Sequence, residues 1–414
     1  MSIKLLVVTA QTPWGKVEGF IIGEMFEMMG QGVELLVIPR NPPGQVFHKN
    51  AQRLVGNAIW LPLINSRMII NFFKNLFSGI ALWRILWDIV ANSRNIRILI
   101  KNLAVLPKGA FVAEILKKKK IGHIHAHWGS TTSTMAYVIS KLAQVSWSLT
   151  LHRWDIKEDN ILKEKVKTAK FVRCISRSGK KELLDIIGDG YEGKIAVIHM
   201  GVKVPTSISA IKNRERANSR LILVTPANLL EVKGHKYLID ACSILLGKGV
   251  RNFQCVFYGE GPQRAILEKQ IREQSLTEHV IMRGTLLSQE KLMEKYEKAE
   301  VNAVILPSIV TSQGEREGIP VSAMEAMAYG VPVVSTNTGG IPELLGDRAG
   351  IIVNQKSSIE LAEAISRLIE NEGLRLRLGQ SGHERVRKEF DVKDTTRELL
   401  RLISDGEVSM CRDS

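Results

Sequence analysis

A chain of 414 residues with 45% apolar content is long enough for two domains, each with its own core. Four cysteines, Cys174, Cys242, Cys255 and Cys411, show no CxxC spacing, which argues against a zinc site or a disulfide framework and fits a reducing cytosol. The formal net charge of +15 asks for an anionic partner, either nucleic acid or an anionic membrane surface.

The N-terminal "MSIKLLVVTAQTP" has an apolar core too short for a signal peptide and reads as a first strand. "KLLVVTA" and "VELLVIP" are runs typical of buried parallel strands, and "EGFIIGEMFEMMGQG" between them is helical, giving a β-α-β unit. Residues 60 to 120 then hold eleven Lys and Arg against two acids, Asp88 and Glu114. The same stretch carries Trp60, Phe72, Phe73, Phe77, Trp83 and Trp87, and it reads as mostly helical from 65 onward. Basic helices with large aromatics suit a bilayer interface. A plain core with a basic solvent face stays open, and so does nucleic acid, although no nucleic-acid motif is present. No uninterrupted apolar run reaches the roughly 18 residues of a membrane span.

"IGHIHAHWG" reads as a strand entering a loop. His123, His125 and His127 share one face of it, as a metal site or as hydrogen-bonding lining of a cleft; no carboxylate or cysteine neighbours them. "TTSTMAYVISKLA" follows as a helix with threonines as N-caps. "WSLTLHRWDI" is a strand with a polar end, where His152 is placed to bond a substrate hydroxyl and Asp155 to support it. "KFVRCISRSGKKELLDI" and "KIAVIHMGV" complete this half.

Residues 205–220 have no apolar periodicity and read as a linker between domains at 1–204 and 221–385. Strands and helices alternate again from "RLILVTPANLLEVKGHKYLIDAC" through "FQCVFYGEGPQRAILEKQI", "VNAVILPS" and "AGIIVN". The last segment is helical over residues 383–404, and residues 386–414 read as a C-terminal helix that returns to the first domain. "GEGP" is a glycine turn, not a GxGxxG fingerprint, and no GxxxxGK[ST] occurs, so dinucleotide and P-loop chemistry have no support. Lys233 in "EVKGH" falls at a strand–helix junction, either as a point charge for phosphate or as a solvated lysine.

"EREGIPVSAMEAMAYGVPVVST", residues 315–336, carries Glu317 and Glu325. On one helix they would lie about 80° apart. Pro320 favours a helix start, so Glu317 falls in the loop before the helix and Glu325 within it, with a strand after Gly330. A helix N-terminus offers N–H groups and a positive dipole end to an anion such as phosphate. Carboxylates beside a phosphate must accept from other donors, and sugar hydroxyls fit. The pattern as a whole is α/β: two doubly wound Rossmann-like domains facing each other across a cleft, with ligands beyond the carboxyl ends of the strands.

The order "LHRWDI", "CISRSGKKEL", "KIAVIHMGV", "LLEVKGHKYLIDA", "FYGEGPQRAILE", "AVILPSI" and "EREGIPVSAMEAMAYGVPVVSTNTGGIPELL" resembles the retaining glycosyltransferases of the GT-B fold. More narrowly it resembles the "glycosyl transferases group 1" family, with "EREGIPVSAMEAM" and "HAHWG" similar to colanic-acid-type exopolysaccharide enzymes; the likeness covers about residues 120 to 390. It implies that Glu317 bonds hydroxyls of the donor sugar and Glu325 the nucleotide ribose. It implies that the backbone N–H groups of Gly318, Ile319 and Val321, around Pro320, meet sugar hydroxyls or the diphosphate. Lys233 would neutralise the leaving diphosphate, and His152 would lie near the reacting carbon. Three positions depart from the family pattern. Asn228 stands where an Arg usually grips the diphosphate, with Arg316 as the candidate substitute. Arg153 replaces the usual Gly after the histidine, and the N-terminal glycine pair is reduced to Gly15.

The resemblance therefore implies transfer from a nucleoside diphosphate sugar, UDP- or GDP-linked, to a glycan or lipid-linked acceptor with retention, without metal or cofactor. The setting would be exopolysaccharide or lipopolysaccharide synthesis, in the cytoplasm and peripheral at the inner face of the membrane, with no nucleic-acid partner. The alternative is a non-catalytic sugar-nucleotide-binding or membrane-surface scaffold with a degenerate site, which Asn228 favours. An epimerase or phosphorylase lacks the acid cluster or lysine-bound cofactor site it would need.

Overall fold

The computed structural model describes residues 3–15, 18–46, 48–206, 220–285 and 289–405. The chain divides into two compact units, Met1–Gly201 with Val392–Ser414, and Val202–Asp391. The linker expected at 205–220 lies, from 207 to 219, outside the described residues.

The first unit is built on six parallel strands: β1 (Lys4–Thr9), β2 (Glu34–Pro39), β3 (His123–His127), β4 (Trp147–Leu151), β5 (Val172–Cys174) and β6 (Ile195–Val197). Their order is β2-β1-β3-β4-β5-β6. β3 and β4 are buried at every position, as strands covered by helices on both faces must be. From β1 the chain crosses to β2 on one side, and from β3 to β4 on the other. The switch in winding direction thus falls between β1 and β3, the position beyond whose carboxyl ends open α/β sheets bind ligands.

Between β2 and β3 run the helices Ser66–Ser78, Ile80–Asn92 and Ile96–Lys117, the first and third capped by Asn65 and Asn95 side chains. Among the described residues no single helix is long and apolar enough to cross a membrane. The first two together satisfy length and composition but bend by 104° at their junction.

The second unit repeats the plan with β7 (Leu221–Pro226), β8 (Phe253–Tyr258), β9 (Val280–Met282), β10 (Ala303–Leu306), β11 (Val333–Thr336) and β12 (Ile351–Val353) in the order β12-β11-β10-β7-β8-β9. All its pairings are parallel, and its switch lies between β7 and β10. The helical C-terminal segment is two helices, Glu372–Glu389 and Val392–Asp405. The break is at Phe390, which is fully buried, leaves the helical conformation with φ −132 and ψ 15, and accepts the Val202 N–H at its carbonyl at 2.8 Å. The second of these helices packs on the helix Ile22–Gly30 of the first unit, tied by Gln31 to the Lys393 carbonyl at 3.1 Å and by Lys170 to the Ile403 carbonyl at 2.7 Å.

Candidate active site

In the second unit the loops after β7 and β10 are stitched together. The Ile309 N–H donates to the Val232 carbonyl at 2.9 Å, and Thr225 Oγ1 donates to the Ile305 carbonyl at 2.9 Å. Gly234 has φ +67, and a Cβ there would lie 1.9 Å from the Pro307 carbonyl oxygen, so only glycine lets the loops approach this closely. The β8 loop closes in from the other side. A Cβ at Gly259 would lie 2.0 Å from the Ala227 carbonyl oxygen, and one at Gly261 2.5 Å from that of Leu229. The "GEGP" glycines therefore serve the packing of three loops.

On this frame the ammonium of Lys233, from the β7 loop, donates directly to Glu317 Oε2, from the β10 loop. Both side chains are partly exposed, at 22% and 16%. The pair bridges the two loops at the winding switch, where an α/β sheet binds its ligand. The helix Val321–Ala328 begins beside it with Pro320 as N-cap, so Glu317 lies ahead of the helix and Glu325 within it. The N–H groups of Val321 and Ser322 have no intrahelical acceptor, while that of Ala323 donates to the Pro320 carbonyl at 3.0 Å. Gly318 and Ile319 are backed by a glycine doublet. The Gly340 N–H donates to the Gly318 carbonyl at 3.3 Å, and a Cβ at Gly339 (φ +57) would lie 1.8 Å from the Glu317 carbonyl oxygen.

Glu325 accepts from the Gln289 amide, and burial pushes its carboxyl up to about 7, with the Gln289 bond opposing. Asn228 is exposed on the β7 loop, and Arg316 is half-buried on the β10 loop beside Glu317. The second unit thus brings Lys233 and Glu317 into contact and groups Arg316 and Gly318–Val321 next to them on one loop and helix start.

In the first unit His152 directly follows β4 and caps the helix Arg153–Glu158. Its N–H donates to Asp155 Oδ2 at 3.0 Å. The ring is buried, and its Nε2 has no hydrogen-bond partner among the described residues. Burial, then the proximity of His127 and Arg173, push its pKa well below the usual histidine range, so it is a neutral imidazole at neutral pH. It lies 4.3 Å from the Trp128 ring, centroid to centroid, with Phe20 edge-on to both. Trp128 adopts φ +80, a strained value for a large side chain. Its indole N–H donates to Glu18 Oε1 at 2.5 Å, across the β1/β3 switch. Glu18 also accepts from the N–H groups of Ala10, Gln11 and Thr12 at 2.9, 2.6 and 2.8 Å, which folds the β1 loop onto it. Gly15 in that loop has φ +102, and a Cβ there would lie 2.3 Å from Gln11 Oε1. Lys165, fully buried, donates to the Gly129 and Ser130 carbonyls at 2.7 and 2.9 Å and fixes the turn after Trp128. Arg153 pairs with Glu182 at 3.9 Å.

The histidine row is not a cleft lining. His123, His125 and His127 are buried in the sheet because β3 is a central strand. His123 and His125 bond the β4 hydroxyls of Ser148 and Thr150 at 2.7 to 2.8 Å, and His127 faces Glu24 at 3.2 Å. Glu18, Trp128, Lys165 and the Gly339–Gly340 doublet are absent from the sequence expectations. Only the doublet and the Trp–Gly after a strand leave a visible trace, since a buried lysine looks like any surface one.

Residues 208–385 match the family model described as glycosyl transferases group 1. This stretch, in the second half of the chain, is similar in sequence to group 1 glycosyltransferases. The chain is 34% identical over 212 residues to the putative colanic acid biosynthesis glycosyltransferase WcaL of Escherichia coli, covering 51% of each. It is 32% identical over 211 residues to the amylovoran biosynthesis glycosyltransferase AmsK of Erwinia amylovora, covering 51% of this chain and 50% of that one. The chain thus spans about half the length of these curated relatives. Among solved structures, Anabaena Alr3699/HepE in complex with UDP superposes with a TM-score of 0.71 at 18% identity, over 98% of this chain and 100% of that one. The architecture is GT-B, and the stretch that matches the group 1 model holds Lys233, Glu317 and Glu325.

Proposed function

We propose that the protein is a retaining glycosyltransferase that moves a hexosyl group from a nucleoside diphosphate sugar to a glycan or lipid-linked acceptor in exopolysaccharide or lipopolysaccharide synthesis. The observation that carries this reading is the Lys233–Glu317 pair at the β7/β10 switch, beside a helix start, inside the stretch that matches the group 1 model. The names of WcaL and AmsK support the polysaccharide setting, and the UDP bound to HepE is in keeping with a nucleoside diphosphate sugar donor, UDP- or GDP-linked. In this proposal Lys233 leaves Glu317 for the diphosphate, whose charge grows as the glycosidic bond breaks. Glu317 then accepts from donor-sugar hydroxyls, Glu325 from the ribose, and the Gly318–Val321 backbone donates to the phosphates. Arg316 supplies the positive charge that Asn228 lacks. His152, neutral and with a free ring nitrogen, bonds a sugar hydroxyl near the reacting carbon, and Gly15 lets the β1 loop approach the substrate. Basic groups rather than a metal carry the charge, and the work is done in the cytoplasm, peripheral to the inner face of the membrane.

Calorimetry without added metal tests the donor site. One of UDP, GDP or ADP binds the wild type, and Lys233→Met weakens it by about 1.5–3 kcal/mol, the range for a hydrogen bond to a charged group. Glu317→Gln leaves diphosphate binding as strong or stronger, because it removes the carboxylate that competes for Lys233, yet it stops sugar transfer. If no diphosphate binds, the enzyme reading fails and the exposed Asn228 points to a degenerate scaffold.

A further inference from the structure

Two helices of the first unit, Ser66–Ser78 and Ile80–Asn92, are apolar on two opposite faces. Their inner residues, such as Met68 and Ile85, are in the core. Their outer faces repeat one pattern. Ile70, Phe73 and Phe77 on the first helix, and Ile80, Trp83 and Trp87 on the second, recur at i, i+3 and i+7, and all six are exposed. Phe77 is 82% exposed and Trp87 71%, and large apolar side chains exposed together along one helix face mark an interaction surface. The Trp83 indole N–H donates to the Leu76 carbonyl at 3.0 Å and clasps the junction between the helices.

Charge and length decide what covers this face. Arg67, Lys74, Arg84, Arg94 and Arg97 are exposed around it. The single acid between residues 60 and 103 is Asp88, half-buried and engaged by the Tyr137 hydroxyl at 2.5 Å. Two copies of so basic a face repel each other, whereas anionic headgroups complement it. Each helix has 13 residues, about 20 Å long, short of a hydrocarbon core of about 30 Å, and the 104° bend prevents the pair from acting as one span. A bent, aromatic, basic hairpin fits within one leaflet.

We propose that this helix pair is a monotopic wedge that seats the first unit in an anionic bilayer, with Phe73, Phe77 and Trp87 among the acyl chains and Arg67, Lys74 and Arg84 at the lipid phosphates. The wedge deepens the membrane part of the proposed function and rests on it: a lipid-linked acceptor would reach the enzyme laterally, within the leaflet.

The test uses the full chain and phosphatidylcholine vesicles with or without roughly one-third phosphatidylglycerol. Binding to the anionic vesicles is expected, with tryptophan fluorescence quenched by lipids brominated on the acyl chain. A Trp83→Phe/Trp87→Phe double variant still binds but loses most of that quenching, and Phe77→Glu lowers the partition coefficient by roughly tenfold or more. Binding that salt releases fully, with no acyl-chain quenching in the wild type, overturns insertion. Failure to bind vesicles overturns it too, and a dimer that Phe77→Glu dissolves would assign the face to a second copy. UDP calorimetry on the same preparation separates the two readings: nucleotide binding without vesicle binding sinks only the wedge, and the reverse sinks only the donor site.

Discussion

A buried glutamate and a half-buried one show how surroundings choose a carboxylate's role. Burial alone would raise Glu24, but Arg173 at 2.6 Å and His127 at 3.2 Å hold it well below the usual range, a charge locked into the fold. Among the described residues the hydrogen-bond partner of Glu325 is the neutral Gln289 amide, and desolvation lifts it to about 7. Its folded pKa exceeds the unfolded value of about 4.3, so its contribution to stability is full below that value and is lost as pH rises through about 7. The ionised form is the better acceptor for a ribose hydroxyl. UDP affinity of the wild type is therefore expected to rise between about pH 6 and 8 relative to Glu325→Gln, which shares the titration of the nucleotide's own phosphate. Calorimetry across that range decides it, and parallel profiles would remove Glu325 from the ribose.

At the level of elements, the sheets and helices that frame the site were readable from period and punctuation. The runs around "KLLVVTA" and "LILVTP" are apolar because both sheet faces are covered, and Pro320 stands at a helix start because its missing N–H costs nothing there. The close approach of the loops was not readable, because it depends on pairs distant in sequence. Gly339 is one residue of a turn in sequence, yet in the fold it is the backing of Glu317. Gly339→Ala is expected to destabilise the second unit by about 1–3 kcal/mol, since the new Cβ meets a carbonyl oxygen and φ is positive. It should also weaken UDP binding by displacing the Glu317 loop. Gly318→Ala, where a Cβ meets open space, should stay within about 0.5 kcal/mol in stability. Thermal melts of the two variants side by side are the check, and equal melting temperatures would show that the doublet is not a support.

At the level of the whole chain, the division into units departs from the order of the sequence, because the helix Val392–Asp405 belongs with the first unit. Leu399, Leu402 and Ile403 are buried, and the turn into this helix is tight enough that a Cβ at Gly201 would lie 2.4 Å from Thr395 Oγ1 and Val392 Cα. The helix therefore completes the first unit's core while lying outside the matched region 208–385. A chain ending at Asp391 exposes that apolar surface on the first unit and leaves the core of the second whole. Calorimetric melting should then show the first unit's transition lowered by several degrees or lost, at about 2–4 °C per kcal/mol for domains of 150–250 residues. The second unit's transition should stay in place and still move upward with UDP, as a ligand bound only to the folded form requires. If both transitions fall together, the helix supports the two units jointly. If neither moves, its buried leucines contribute little.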